Sequence, residues 1–151
     1  MSLRVLHVLD HSIPLHSGYT FRTLAILREQ RRLGWETLQL TTPKQGASDA
    51  MEETVDGLKF HRTPSSDGTG LMAQMRLTAA RIAQVARQGK VDIVHAHSPV
   101  LNALPALWVR LSQSLPVVYE MRASWEDAAV DHGTTTEGSA RYRFSRALES
   151  L

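Results

Sequence analysis

Short apolar runs alternate along the chain with longer segments in which apolar residues recur at helical spacing. A short apolar run between turn residues is typical of a strand buried in a parallel sheet. The pattern predicts five strands, at residues 4–10, 36–42, 57–62, 91–96 and 115–120. It predicts helices at residues 20–33, 71–89 and 101–111, and a long polar loop at residues 42–56.

Strands that alternate with helices imply right-handed crossovers and a parallel sheet. The sequence therefore predicts an α/β fold, with a doubly wound parallel sheet flanked by helices. A further helix is predicted at residues 139–151, and it ends without a glycine, asparagine or proline stop signal. We expect from this that the natural polypeptide continues, although a terminus that simply frays would give the same pattern.

Composition excludes several classes of protein. The 151 residues suit one domain, and 42% hydrophobic with 21% charged residues is typical of a soluble globular chain. No cysteine is present, so disulfides, thiolate zinc sites and cysteine nucleophiles are excluded. The net charge of +2 is too small to indicate nucleic acid as a partner. The amino terminus lacks the features of a signal peptide, and we expect a cytoplasmic protein.

Common catalytic motifs are absent from the sequence. Neither the GxGxxG fingerprint of dinucleotide-binding domains nor a GxxxxGK[ST] phosphate loop occurs, which disfavours nicotinamide cofactors and P-loop chemistry. A GxSxG nucleophile elbow is absent as well, which disfavours serine hydrolysis.

Candidate binding residues follow the predicted strands, because ligands of open parallel sheets bind beyond the carboxyl ends of the strands. Gly18 and Tyr19 precede the first helix, where a glycine lets backbone amides approach a phosphate. A simple chain turn explains Gly18 equally well. His97 lies at the exit of the fourth strand, where it could face the cleft and its neutral imidazole could bond a hydroxyl or phosphate, so we count it with Arg122 as a candidate catalytic residue. His95 shares its side of the strand, but no third metal ligand follows at a recognisable spacing, so we predict no metal site and expect His95 to be a hydrogen-bonded core residue.

A cluster of polar and aromatic residues follows the fifth predicted strand. Carboxylates and a guanidinium can read sugar hydroxyls, while an indole packs on a pyranose face. These residues therefore suit a carbohydrate, although a solvated loop anchored by its tryptophan would have the same composition. The candidate residues are Glu120, Arg122, Trp125, Glu126 and His132.

The segments RVLHVLDHSIPLHSGYTFRT, VDIVHAHSP and PVVYEMRASWED resemble the N-terminal domain of family four retaining glycosyltransferases of the GT-B fold. The stretch YEMRASWEDAAVDHGTTTEGSARYRFSRALES is similar to the branch associated with exosortase and exopolysaccharide gene clusters. The resemblance covers nearly the whole chain, and the stretch from DHG to SRALES is its most specific part.

The resemblance implies two Rossmann-like domains that face each other across a cleft. Residues 1–138 would form the acceptor-side domain, and residues 139–151 would begin a helix leading to a C-terminal domain that binds the nucleotide sugar. The nucleotide sugar is a co-substrate, and the resemblance implies no cofactor and no required metal ion. The 151 residues alone would be inactive.

The resemblance also assigns roles to individual residues. The loop of Gly18 and Tyr19 would approach the donor diphosphate, and His97 matches the second histidine of an HxHxP pattern. Arg122 stands where many members carry a histidine. An arginine cannot act as a general base at neutral pH, but it can stabilise phosphate charge. The transfer would then proceed with the leaving phosphate assisting deprotonation of the acceptor.

The resemblance thus implies a hexosyltransferase that moves a sugar to a glycan or lipid-linked acceptor in exopolysaccharide synthesis. The basic helix at residues 20–33 could contact anionic lipid, although a solvated basic face is the simpler interpretation. Two alternatives remain open: a stand-alone flavodoxin-like binding module, and half of a sugar-nucleotide epimerase.

Overall fold

The computed structural model describes residues 2–46, 50–64, 68–122 and 147. Within these residues, six strands and three α-helices follow one another, with a 3-10 turn at Pro43–Gln45. The strands are β1 (Arg4–Leu9), β2 (Glu36–Thr41), β3 (Glu52–Val55), β4 (Leu58–Arg62), β5 (Ile93–His97) and β6 (Val117–Glu120). The helices are α1 (Gly18–Arg32), α2 (Leu71–Gly89) and α3 (Val100–Gln113).

The strands form one sheet in the order β3-β4-β2-β1-β5-β6. All neighbouring strands are parallel except β3 and β4, which are antiparallel. The predicted α/β class is confirmed, but the sheet is mixed and not purely parallel. The prediction of a continuous loop at residues 42–56 is wrong, because β3 lies inside it.

The missed strand lacks the apolar signal of the others. The β3 sequence EETV has no fully buried residue, so it shows no buried run that sequence reasoning could detect. Its pairing with β4 depends on the turn at Asp56 and Gly57, where both residues have positive φ angles of 51° and 75°. An Asp-Gly pair is a strong hairpin signal, and it identifies this turn in the sequence.

Helices cover both faces of the sheet. Leu6 and Val8 of β1 belong to a core that also contains Ile82 of α2 and Ala106 of α3. Leu9 points to the opposite face, where it packs in a second core with α1. This alternation follows from the two-residue period of a strand. Among the described residues, no helix is both long and apolar enough to cross a membrane.

The order of the strands reverses at β1, which lies between β2 and β5. The chain leaves β1 toward one side of the sheet and later returns to the other side. In open α/β sheets such a reversal opens a crevice beyond the carboxyl ends of the strands. The loop that follows β1 and the residues that follow β5 and β6 therefore meet at this edge.

A buried arginine holds the loop after β1 in place. The Arg62 side chain is 1% exposed, and its Nη2 atom donates to the Ile13 carbonyl at 2.7 Å and to a Glu53 carboxylate oxygen at 2.7 Å. Its Nη1 atom donates to Thr41 Oγ1 at 3.2 Å, and its guanidinium lies over the Phe60 ring. The β3-β4 hairpin is thereby connected to the loop that borders the crevice.

Candidate functional site

The carboxyl ends of β5 and β6 bring a histidine, a carboxylate and an arginine into contact. His97 and Glu120 are register partners on the two adjacent strands, and Arg122 follows two residues after Glu120. The distance from His97 Nδ1 to Glu120 Oε2 is 2.8 Å, and that from His97 Nδ1 to Arg122 Nη2 is 2.6 Å. The three residues that sequence analysis placed after these strands thus form one cluster.

The Arg122 guanidinium is packed against the first turns of α1, and its side chain is only 9% exposed. Nη1 donates to the Tyr19 carbonyl at 3.3 Å, and Nη2 donates to Thr23 Oγ1 at 3.1 Å. The guanidinium carbon lies 4.4 Å from the centre of the Tyr19 ring. Arg122 therefore places a permanent positive charge beside the amino terminus of a helix, whose dipole has the same sign.

Glu120 is the acceptor that balances this charge. Its Oε1 atom receives a hydrogen bond from Arg22 Nη2 at 2.9 Å, and its Oε2 atom lies 3.4 Å from Arg122 Nη2. Burial alone would raise the pKa of Glu120, but the hydrogen bond from Arg22 and the charge of Arg122 outweigh burial. The pKa of Glu120 is therefore lowered, and the carboxylate is ionised at neutral pH.

Two further histidines lie behind His97, on the face covered by α1. His7 of β1 is the register partner of His95, and its ring contacts both His95 and His97. Burial, followed by the proximity of His95, lowers the pKa of His7 to about 4. Burial, together with the neighbouring histidines and Arg122, also lowers the pKa of His97. Both imidazoles are therefore neutral at neutral pH.

His7, His95 and His97 each offer a nitrogen within 4.8 Å of the others, which is a spacing that could hold a metal ion. Sequence spacing missed His7 because it lies on a different strand. The geometry favours hydrogen bonding over metal ligation. The rings of His95 and His97 stack at 22° with centres 4.0 Å apart, so their lone pairs do not converge on one point. The cation of Arg122 also occupies one side of His97.

Gly18 and Tyr19 lie at the start of α1, next to Arg122. Ser17 caps this helix by accepting a hydrogen bond from the Thr20 backbone at 3.1 Å. A Cβ atom added to Gly18 would meet nothing within 4 Å, so the described residues do not themselves require glycine there. The Tyr19 hydroxyl accepts a hydrogen bond from the Asp10 backbone N–H at 3.0 Å, so the phenol is bonded within the protein.

The rim of the crevice continues along the loop after β1. Lys44 Nζ lies 3.2 Å from Asp10 Oδ1, and His11 contacts both Asp10 and Ser17. A cavity of about 30 Å³ opens beside Asp10 and Lys44 and reaches Asn102 at the start of α3. It is large enough for about one water molecule, so any larger ligand must bind above it.

Comparison with known families identifies the chain. The model of the glycosyl transferase 4-like domain matches residues 17–151. The chain belongs to the glycosyl transferase 4-like domain family. The match begins at the Ser17 cap of α1 and includes α1, β5, β6 and Arg122, which form the cluster described above.

Individual relatives of this glycosyl transferase 4-like domain agree with the family match. A GDP-mannose-dependent alpha-mannosyltransferase of Mycobacterium tuberculosis (strain CDC 1551 / Oshkosh) is 24% identical over 150 residues, which are 99% of this chain and 40% of that protein. Sucrose-phosphate synthase from Thermosynechococcus elongatus has a similar fold, with a TM-score of 0.69 and 11% identity over 97% of this chain and 39% of that one. The chain thus spans about 40% of the length of such relatives.

The same fold also occurs outside transferases. The C-terminal domain of PF1911 hydrogenase from Pyrococcus furiosus matches with a TM-score of 0.52 and 12% identity, over 78% of this chain and 91% of that domain. At such identities the likeness shows the fold alone. The chemistry of the glycosyl transferase 4-like domain must therefore be argued from its side chains.

The predicted site residues of this domain divide into two groups. Gly18, Tyr19, His97, Glu120 and Arg122 all lie at one edge of the sheet. Trp125, Glu126 and His132 lie outside the described residues, as does all of residues 139–151 except Ala147.

Sequence reasoning missed the polar residues around this group. Hydrogen bonds join His7 to His97, Thr23 to Arg122 and Arg22 to Glu120, and Gln30 contacts His7 behind them. The alternation of residues along β1 shows from the sequence alone which face of the strand His7 occupies. The sequence does not show which residues His7 contacts, because these depend on which strands pair and in which register.

Proposed function

We propose that this chain is the acceptor-side domain of a retaining hexosyltransferase that moves a sugar from a nucleotide sugar to a glycan or lipid-linked acceptor. The observation that carries the proposal is the convergence of His97, Glu120 and Arg122 at the strand ends of a chain that belongs to the glycosyl transferase 4-like domain family. The relative from Mycobacterium tuberculosis uses GDP-mannose by name, which makes GDP-mannose the first donor to test.

Arg122 supplies electrostatic stabilisation in this proposal. Glycosyl transfer from a nucleotide sugar releases a diphosphate, and negative charge grows on the leaving oxygen in the transition state. The Arg122 guanidinium, together with the amino terminus of α1, provides a fixed positive potential beside Gly18. Such preorganised charge stabilises a developing anion without the cost of reorienting solvent.

The open surface at Gly18 supports the same arrangement. Nothing lies within 4 Å of the position that a Cβ would take, and the residue is exposed at the first turn of α1. A phosphate could approach the backbone amides of this turn closely, as anions do at helix amino termini. An alanine at position 18 would leave the fold intact and narrow this approach.

The test of the proposal is a transfer assay on the longest form of the protein that its gene encodes. GDP-mannose and other nucleotide sugars are offered with lipid-linked and free glycan acceptors, and release of the nucleoside diphosphate is measured. We expect release that depends on the acceptor. Arg122→Ala should lower turnover at least about tenfold, equivalent to about 1.4 kcal/mol of transition-state stabilisation.

Matched variants separate this role from general damage. Arg76→Ala changes an exposed arginine of α2 and should leave turnover unchanged. Formation of an epimeric nucleotide sugar without acceptor would instead favour an epimerase. Tight binding of nucleotide sugar without any turnover would favour a binding module.

A role in exopolysaccharide synthesis at a membrane surface forms part of the proposal. The helix α1 exposes Phe21 and Arg28, which could contact a lipid surface. Other arginines on this helix are engaged by the protein, since Arg22 pairs with Glu120 and Arg32 pairs with Glu29. Co-sedimentation with anionic vesicles at low salt tests the contact, and Arg28→Glu should reduce it. An unchanged vesicle-bound fraction would remove the membrane from the proposal.

A further inference from the structure

A chain of short hydrogen bonds runs from Arg122 through two buried histidines to a glutamine on α1. Arg122 Nη2 lies 2.6 Å from His97 Nδ1, and His97 Nε2 lies 2.8 Å from His7 Nδ1. His7 Nε2 lies 2.7 Å from Gln30 Oε1. Both histidines are fully buried, so their ring nitrogens depend on hydrogen-bond partners within the protein.

The chemistry of the first member fixes the direction of the whole chain. A guanidinium carries only donors, so the contact with Arg122 requires His97 to accept at Nδ1 and hold its proton on Nε2. That proton is donated to His7 Nδ1, and His7 in turn holds its proton on Nε2 and donates to Gln30 Oε1. Every nitrogen in the chain then has a matching partner, which is what buried polar groups require.

From this geometry we propose that His7 and Gln30 are positioning residues, which hold His97 in its Nε2–H tautomer so that His97 fixes the Arg122 guanidinium beside the amino terminus of α1. His97 is a positioning residue as well and not a general base, because both its nitrogens are occupied within the protein. This changes the sequence prediction, which placed His97 in the cleft as a group that touches substrate.

A competing arrangement shows why the glutamine matters. Glu120 Oε2 lies 2.8 Å from His97 Nδ1, so the opposite tautomer could donate to this carboxylate. His7 would then have to donate from Nδ1, and its bare Nε2 would face the Gln30 carbonyl oxygen at 2.7 Å. Two acceptors at that distance repel, and the N–H of His97 would also oppose the N–H of Arg122. The Nε2–H tautomer has one such conflict, because the bare Nδ1 of His97 lies 2.8 Å from Glu120 Oε2 as well as 2.6 Å from Arg122 Nη2. With the Gln30 oxygen facing His7, the Nε2–H tautomer has fewer conflicts, and it is the tautomer that holds Arg122.

Tautomers can be read directly, without any assay of function. In protein labelled with ¹⁵N-histidine, each ring nitrogen that carries a proton has a shift distinct from that of one that does not. We expect His97 and His7 both to carry the proton on Nε2 near neutral pH. A protonated Nδ1 on His97 in the unaltered protein would overturn the proposal, whatever the protein proves to catalyse.

Three variants test the role of the glutamine. Gln30→Met removes the acceptor and should shift the tautomer balance of His97 toward Nδ1–H by about fivefold, the change in an equilibrium from losing one ordinary hydrogen bond. Gln30→Glu keeps an acceptor that cannot act as a donor when ionised, and it should preserve the Nε2–H tautomer. Gln88→Met, at an exposed position of α2, is the control. Unchanged tautomers in Gln30→Met would overturn the proposal.

The functional consequence rests on the proposed glycosyl transfer and is measured separately. If Arg122 stabilises charge mainly in the transition state, Gln30→Met should lower kcat about fivefold with little change in KM for the donor. Gln30→Glu should restore most of the loss. A tautomer shift without a change in kcat would retain the hydrogen-bond chain and remove its link to catalysis, which overturns the positioning role. Absence of transfer activity in every form would contradict only the proposed function.

Discussion

Acidification should begin to destabilise the fold above the pH at which most carboxylates are protonated, because of the buried histidines. His7 is fully buried, and burial followed by the proximity of His95 lowers its pKa from the ordinary value of 6.5 to about 4. In the unfolded chain His7 takes up a proton near pH 6.5, whereas in the folded chain it does so only near pH 4. Between these values the unfolded state binds more protons, so the free energy of unfolding falls as the pH falls.

The magnitude follows from the shift. One pKa unit corresponds to about 1.4 kcal/mol, so the full descent from pH 6.5 to pH 4 removes about 3 kcal/mol through His7 alone. Burial also lowers the pKa values of His97 and His95, and these changes have the same sign. Because a domain of this size is stable by only about 5–15 kcal/mol, the loss should be easy to measure.

The assay is urea unfolding at a series of pH values between about 7 and about 4. All unfolding curves are fitted with one shared slope of the unfolding free energy against urea concentration. Replacement of His7 by asparagine should remove part of the pH dependence, while the same change at the exposed His16 is the matched control. In the unaltered protein, the imidazole signal of His7 followed by NMR should titrate near pH 4. An unfolding free energy that is constant over this range, or titration of His7 near pH 6.5, would refute the reasoning.

Three further predictions follow from the packing around the crevice. Arg62→Met should lower the free energy of unfolding by about 3 kcal/mol in urea, since it leaves Glu53 and the Ile13 carbonyl without their partner, and an equal loss in the exposed Arg76→Met would contradict this. Ser17→Ala should cost about 1 kcal/mol through loss of the α1 cap, measured by thermal melting. Added Zn²⁺ should leave the melting temperature unchanged, whereas a rise that depends on Zn²⁺ concentration would show that the histidines bind metal.

The sequence predicted the fold class because each strand of the parallel part carries its own apolar signal. Leu6, Val8 and Leu40 are fully buried, and they lie in runs that can be recognised without knowledge of their neighbours. The strand β3 was missed because it buries little and depends on a hairpin turn. Apolar periodicity detects burial, so a half-exposed edge strand leaves little trace.

The candidate site was only partly predictable for a different reason. The rule that ligands bind at the carboxyl ends of strands indicated Gly18, His97, Glu120 and Arg122 from order alone. It could not show that His97 points into a hydrogen-bond chain, because the partner on β1 is fixed by the register between two strands. Long-range polar contacts are a property of the assembled sheet and not of any local pattern.

The polar cluster under α1 is not what stability alone would select. Apolar residues of similar volume at positions 7, 30 and 97 would avoid the desolvation of buried polar groups and would be about as stable or more so. The free-energy cost of burying such a hydrogen-bond chain is accounted for when the chain fixes the position of a functional side chain. Its last member here is a guanidinium at the carboxyl edge of the sheet, within the residues that the family model matches.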